Sequence, residues 1–244
     1  MVKKPSILIA GCGTGRHAVE TLSRFDNSTV LAVDLSLTSL AYAQRKTNEL
    51  GLNNIHYMQA DILSLKQLNR TFDIIECSGV LHHMSDPLKG WKELVKCLKS
   101  GGLMKIGLYS ELARKSIVKI QQEIKEKKIG SSEIQIRDFR SELVRLNRNN
   151  QKTLEGRGSF FSMSEFRDLL FHVQEHRFTL EKIQIVLEDL GLIFCGFENE
   201  KIVREFKIHN EEFIDLYDLT KWIRFEKTNP RIFMGMYQFW CQKI

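Results

Sequence analysis

Short apolar runs alternate with amphipathic stretches over the first 109 residues. Ile7-Leu8-Ile9-Ala10 opens the series, and residues 29–34, 56–61 and 72–77 continue it. Each run has the length and bounding residues of a strand. Helix signals fall between them. Ser36 can cap a helix through Leu50 with Gly51 as its stop, and Asp86-Pro87 starts another that ends near Leu98, before Gly101-Gly102. Residues 103–109 then read as a fifth strand. Strands that alternate with helices predict an α/β, doubly wound, Rossmann-like parallel sheet, with ligands beyond the carboxyl ends of its strands.

The later chain is patterned differently. Residues 192–197 and 234–240 read as two further strands, separated by a connection over 198–231 with its own helix near 211–224. Between the fifth strand and this pair lies an insertion, whose charged stretches 111–128 and 133–148 are helical in pattern. Three regions are therefore expected: 1–109 as the cofactor-binding core, 110–190 as a helical insertion suited to acceptor recognition, and 191–244 as strands completing the sheet.

The first strand breaks into Gly11-Cys12-Gly13-Thr14-Gly15, alternating glycines that bring backbone against a ligand. A dinucleotide fingerprint would place its third glycine at position 16, where this chain has Arg16. The second strand ends in Asp34 about twenty residues past the glycines, a position from which a carboxylate holds ribose hydroxyls. The third ends in Asp61, and the fourth runs through Cys77 and Ser78 into Gly79-Val80-Leu81-His82-His83.

Over residues 6–109 this set resembles the class I S-adenosylmethionine-dependent methyltransferases, and within them the ubiquinone and menaquinone biosynthesis group. The resemblance implies a seven-stranded sheet of order 3-2-1-4-5-7-6 with strand 7 antiparallel, and S-adenosyl-L-methionine as cofactor. It implies that Gly11, Cys12, Gly13, Thr14 and Gly15 cradle the methionine part. Asp34 would bind the ribose and Asp61 the adenine amino group, with Leu35 and Ile62 as further cofactor-binding residues. Cys77 and Ser78 would lie beside the cofactor, and Val80 to His83 near the methyl donor. Residues 158–178 and 229–240 also look like the methyltransferase region of bacterial tetratricopeptide-repeat proteins. Family members carry helices before the first strand, which here begins by residue 6. The cover over the cofactor entrance is therefore expected from the insertion, from a partner domain or from a second copy of the chain.

Composition agrees with a soluble enzyme: 244 residues, 43% hydrophobic and 27% charged. No apolar run approaches the ~18 residues of a membrane span. Lys3 and Lys4 precede an apolar stretch too short for a signal-peptide core. Five cysteines without a C-x-x-C pair argue against a disulfide framework or a cysteine zinc site, so the expected setting is a reducing cytoplasm, with no metal.

Positive charge concentrates in residues 114–152, which hold eleven Lys or Arg against five acids. Interspersed acids and the lack of alternating aromatics favour solvated helices over a nucleic-acid surface. Neither an Asn/Asp-Pro-Pro-aromatic motif nor a Pro-Cys nucleophile follows the fourth strand, so nucleobases are not the favoured acceptors.

Residues 172–176 match the H-x-x-E-H pattern of one zinc peptidase group, which on a helix would put His172 and His176 on one face. Ser162 with Glu165 reads as a capping box, and Thr179 as the cap of the next helix, which places both histidines between two helices. His172, Glu175 and His176, with His83 as a rival, are the candidates for removing a proton from the acceptor. The reading is a methyltransferase acting on a small molecule or protein side chain. The alternatives are a non-catalytic methyltransferase-like binding module and an RNA methyltransferase.

Overall fold

The computed structural model describes residues 3–25, 27–145, 162–210 and 215–244. They form two compact units, one made of the chain up to Ser110 together with His176–Ile244, the other of Glu111–Glu175.

The first unit is built on a seven-stranded sheet: β1 (Ser6–Ala10), β2 (Thr29–Asp34), β3 (Ile55–Gln59), β4 (Phe72–Ser78), β5 (Leu98–Leu108), β6 (Leu192–Phe197) and β7 (Tyr237–Lys243). Its order is 3-2-1-4-5-7-6, the order expected. Strands 1 to 5 pair in parallel, and β7 runs antiparallel to both β5 and β6. α1 (Arg16–Arg24) follows β1, α2 (Leu37–Glu49) follows β2, and α3 (Pro87–Lys96) precedes β5. The caps are those read from the sequence. Ser36 Oγ accepts the Ser39 amide at 3.2 Å and Asp86 Oδ1 accepts that of Lys89 at 3.0 Å.

Several boundaries differ from expectation: β3 ends at Gln59 rather than Asp61, because Asp61 caps the following 3₁₀ turn, and the helix expected over 111–128 spans Lys115–Glu126. β5 starts at Leu98 rather than 103, because Leu98 already pairs with Phe72 before the register shifts at a bulge. The glycines read as a break lie inside the strand, with Gly101 at φ 71°. β7 starts at Tyr237 rather than 234, because Met234 is held in a turn by its amide bond to the Arg231 carbonyl at 3.2 Å. The helix expected near 211–224 is α9, Leu219–Thr228, which starts where Asp218 Oδ1 accepts the Thr220 amide at 2.9 Å; residues 211–214 lie outside the described residues. A further helix, α8 (Glu200–Ile208), was not expected and is capped by Asn199.

The second unit contains α4 (Lys115–Glu126), α5 (Glu133–Arg145) and α6 (Met163–Phe171). Ile117, Ile120 and Ile124 of α4 pack with Ile136, Phe139 and Leu143 of α5 and with Phe166, Leu169 and Leu170 of α6. Apolar residues three and four apart thus form one stripe per helix. Residues 146–148, expected to extend α5, and 158–161 of the second resemblance lie outside the described residues. α7 (Leu180–Asp189) belongs to the sheet unit and starts where Thr179 Oγ1 accepts the Lys182 amide at 3.2 Å.

Candidate functional site

The carboxyl ends of β1, β2, β3 and β4 converge on one cleft, of about 590 Å³ including its open mouth, lined among others by Gly11, Asp34, Asp61, Ile62, Gly79 and His83. Gly11, at the start of the glycine loop, lines it. The Gly11 and Cys12 amides both donate to the Val33 carbonyl, at 2.8 and 3.0 Å, so the chain turns over the end of β2. Gly11 has φ 82°, and a Cβ there would collide with Val80 Cγ2. Gly13, at φ 51°, faces the opposite situation: a Cβ there would meet nothing within 4 Å. Backbone at Gly13 therefore borders open space that a ligand can enter closely.

Asp34 links this loop to β2. Its Oδ2 accepts the Gly13 amide at 2.7 Å and its Oδ1 the Ser36 amide at 2.9 Å. Each carboxylate oxygen keeps a second lone pair for a ligand hydroxyl. Asp61 Oδ1 accepts the Leu63 amide at 2.9 Å and caps the 3₁₀ turn Ile62–Leu68. Leu35 is 67% exposed at the same mouth, a large apolar side chain with no protein surface over it. Thr14 is exposed on the loop.

The cysteines of the site are inert thiols. Burial, with the Asp34 charge adding to it, pushes Cys12 up to about 12. Burial does the same to Cys77, also to about 12. Neither is a thiolate at neutral pH, so neither competes as a nucleophile. Ser78 Oγ lies 3.5 Å from Met236 Sδ and accepts Gln238 Nε2 at 3.4 Å.

Beyond β4, the turn Leu81–His83 places two histidines against Tyr109. His82 is buried and stacks on that ring at 3.8 Å between centroids, while His83 meets it edge-on at 5.8 Å and borders the cleft. The His176 amide donates to the His82 carbonyl at 2.7 Å, and the Phe178 amide to that of Tyr109 at 2.9 Å.

Residues 7–102 match the family model described as a methyltransferase domain. Over those residues the chain is similar to the class I S-adenosylmethionine-dependent methyltransferases. An uncharacterized protein of Synechococcus sp. is 31% identical over 204 residues, covering 80% of this chain and 49% of that protein. A ubiquinone/menaquinone biosynthesis C-methyltransferase of Bdellovibrio bacteriovorus is 30% identical over 96 residues, 39% of this chain and 40% of that one. The chain thus spans about half the length, or less, of these curated relatives. Among solved structures, PKMT2 from Rickettsia typhi superposes with a TM-score of 0.71 at 15% identity, covering 100% of this chain and 49% of that one. That protein is also known in complex with AdoHcy, and at this identity it bears on the fold alone.

Of the expected cofactor residues, Gly11, Asp34, Leu35, Asp61 and Ile62 line the cleft, with His83 beside them, whereas Cys12, Gly13, Thr14, Gly15, Cys77 and Ser78 are not among its lining residues. The other candidates for proton removal are placed differently. No helix runs through 172–176, so the histidines do not share a helix face. His172 is the C-cap of α6, its Nδ1 lying 2.7 Å from the Gln174 carbonyl oxygen. Glu175, in the second unit, accepts from Arg114 Nε at 2.9 Å and from Arg114 Nη2, a pair whose side chains are 2% and 4% exposed. Gln121 Nε2 approaches the same carboxylate at 3.5 Å.

Some of the charge concentrated in residues 114–152 is met locally, Lys127 by Glu123 and Glu142, Arg137 by Glu133.

One constellation in the methyltransferase core escaped the sequence reading. Glu76, fully buried in β4, takes Thr21 Oγ1 at 3.0 Å and Arg24 Nη2 at 3.0 and 2.9 Å, and His17 Nε2 lies 2.5 Å from its Oε2. Burial alone would raise its pKa; the His17 contact and the charges of Lys105 and Arg24 outweigh that and hold it below the ordinary carboxylate value. The available signal was His17, Thr21 and Arg24 at helical spacing opposite an acid inside an apolar strand.

Proposed function

We propose that the chain is an S-adenosylmethionine-dependent methyltransferase whose acceptor is a small molecule or a protein side chain. The observation that carries this reading is the clamp of Asp34 by the Gly13 and Ser36 amides at the mouth of the cleft. It fixes a carboxylate beside backbone that borders open space, which suits a ligand with ribose hydroxyls and a flexible polar tail. In this reading Asp34 accepts the ribose hydroxyls, and Asp61 accepts the adenine amino group while Leu35 and Ile62 cover the ring. Gly11, Cys12, Gly13, Thr14 and Gly15 give the methionine part a backbone surface, with Cys77 and Ser78 at the end of β4 behind it.

When bound, S-adenosylmethionine supplies an electrophilic methyl group on a sulfonium. The protein's task is then alignment of the nucleophile and removal of its proton. His83 suits the second task, since it stands on the cleft wall beside Val80 and an imidazole exchanges protons near neutral pH. Tyr109 and the buried His82 pack against it and restrict its ring. His172 and His176 remain secondary candidates. For Glu175, the buried pair with Arg114 supports a structural part instead.

Residues 110–190 are assigned to acceptor recognition, between the core at 1–109 and the strands at 191–244. Five free cysteines agree with a reducing, cytoplasmic setting. No helix among the described residues is long and apolar enough to cross a membrane. The test is a screen of cell-extract metabolites and proteins for transfer of a labelled methyl group from S-adenosylmethionine. Transfer that is lost in His83→Ala with the cofactor still bound supports the reading. Full transfer in that variant removes His83 from the mechanism.

A further inference from the structure

We propose that Glu76 is a positioning residue, which sets the glycine loop for cofactor binding by gripping α1 along its length. The inference rests on the cofactor reading above.

The loop is tied to β2 through the Val33 carbonyl and the Asp34 carboxylate, but nothing there sets the height of its far end. Its glycines lack side chains that could pack, so its shape depends on where its two ends are fixed. One end is β1, pinned in the sheet between β2 and β4. The other is α1, which begins at Arg16 directly after Gly15. Glu76 fixes that second end. It stands in the middle of the sheet, paired with Ile9 of β1 and Lys105 of β5, so its backbone cannot drift. Its carboxylate meets His17, Thr21 and Arg24, residues on one face of α1 and on successive turns.

The hold is braced from the far side. Arg24 Nη1 also donates to Glu198 Oε1 at 2.8 Å, and Glu198 Oε2 lies 2.6 Å from Lys105 Nζ. Lys105 is the strand neighbour of Glu76, so the contacts close a ring through α1, β4, β5 and the end of β6. The groups facing the Glu76 carboxylate are therefore His17, Thr21, Arg24 and Lys105, with Glu198 one step further. Taking such charges out of water is unfavourable, and an apolar set of similar volume is often as stable. What the ionic set adds is a defined angle and height for α1, and hence for the loop at its start.

The experiment is calorimetric titration of S-adenosylhomocysteine into the full chain, with urea unfolding of each variant alongside. Glu76→Gln keeps the volume and removes the charge, and should weaken binding about tenfold. Thr21→Val removes a single bond from the same face and should weaken it about twofold by the same reasoning. Phe206→Leu removes packing against Trp222 outside this ring, and should lower stability while leaving affinity unchanged. Unchanged affinity in both Glu76→Gln and Thr21→Val overturns the proposal. So does a loss in Phe206→Leu matching that of Glu76→Gln at equal stability, since the effect would then follow stability alone. Failure of the unsubstituted chain to bind would instead sink the cofactor reading itself, and this inference with it.

Discussion

Asp34 Oδ2 accepts the backbone amide of Gly13 at 2.7 Å, so the acid at the end of β2 and the loop at the end of β1 form one rigid piece. Two features that the sequence separates by twenty-one positions are thereby joined before any ligand arrives. Preorganisation of this kind reduces the ordering that binding must impose.

The glycines of that loop should fail in different ways. Gly11→Ala adds a Cβ that collides with Val80 at a φ of 82°, and should lower stability by about 3 kcal/mol. Adding Val80→Ala should recover the collision but not the backbone strain, leaving about 1 kcal/mol. Gly13→Ala adds its methyl to open space and should cost about 1 kcal/mol, while weakening S-adenosylhomocysteine binding far more than that loss explains. Urea midpoints and calorimetry on the same preparations check both.

Glu226 gives the stability a pH signature. It is buried, accepts Tyr237 Oη at 2.7 Å and Ser110 Oγ at 2.8 Å, and burial holds its pKa above the ordinary carboxylate value, with the Glu181 charge adding to it. The folded state therefore keeps this proton after the unfolded state has released it. Stability from this group is present below the unfolded pKa of about 4.3 and falls as pH rises toward the folded value. Asp73, Glu76 and Glu181 are shifted the other way, so their contributions are lost only as pH falls below the ordinary carboxylate range. Urea unfolding of wild type and Glu226→Gln from pH 4 to 8 should show the wild type losing ground to the variant as pH rises. Parallel curves would show that Glu226 does not couple to folding.

Arg114 and Glu175 should dominate the stability of the second unit. Removing Arg114 leaves the buried Glu175 carboxylate without its guanidinium, and Arg114→Ala should cost about 3 to 5 kcal/mol. Hydrogen exchange resolved to residues 111–175 reads the change where it acts. Protection there equal to that of the unsubstituted chain would mean the pair is dispensable.

Thiol chemistry offers a cheap check of burial around the loop. Cys12, Cys77 and Cys241 are buried with raised pKa, whereas Cys195, also raised by burial, is only half-buried within β6. Alkylation of the native protein at pH 8, followed by mass spectrometry, should mark Cys195 first and leave Cys12 and Cys77 unmodified. Early labelling of Cys12 would mean that the loop is open.

Much of the sheet was legible because local signals and tertiary demands agree there. Ser36, Asp86, Ser162 and Thr179 cap helices as read, and Asp34 at the end of β2 and Asp61 just beyond β3 fall at the cleft. The strand limits at Leu98 and Tyr237 were not legible, since they depend on partners distant in sequence: Phe72 for the first, the Leu103 to Leu108 segment for the second. The Glu76 ring was missed for a similar reason. An acid inside an apolar strand looks like noise until α1 is laid across it. The H-x-x-E-H run carries helical spacing, but the caps at Ser162 and Thr179 place it between two helices, and it lies there.

The central claim is that this cleft holds S-adenosylmethionine through Asp34 and the glycine loop, and titration of S-adenosylhomocysteine into wild type and Asp34→Ala tests it most directly. Wild type should bind one equivalent, and loss of the carboxylate's charge-assisted bonds should weaken binding by about a hundredfold with the fold retained. No binding by the wild type, or equal binding by both proteins, would contradict the account.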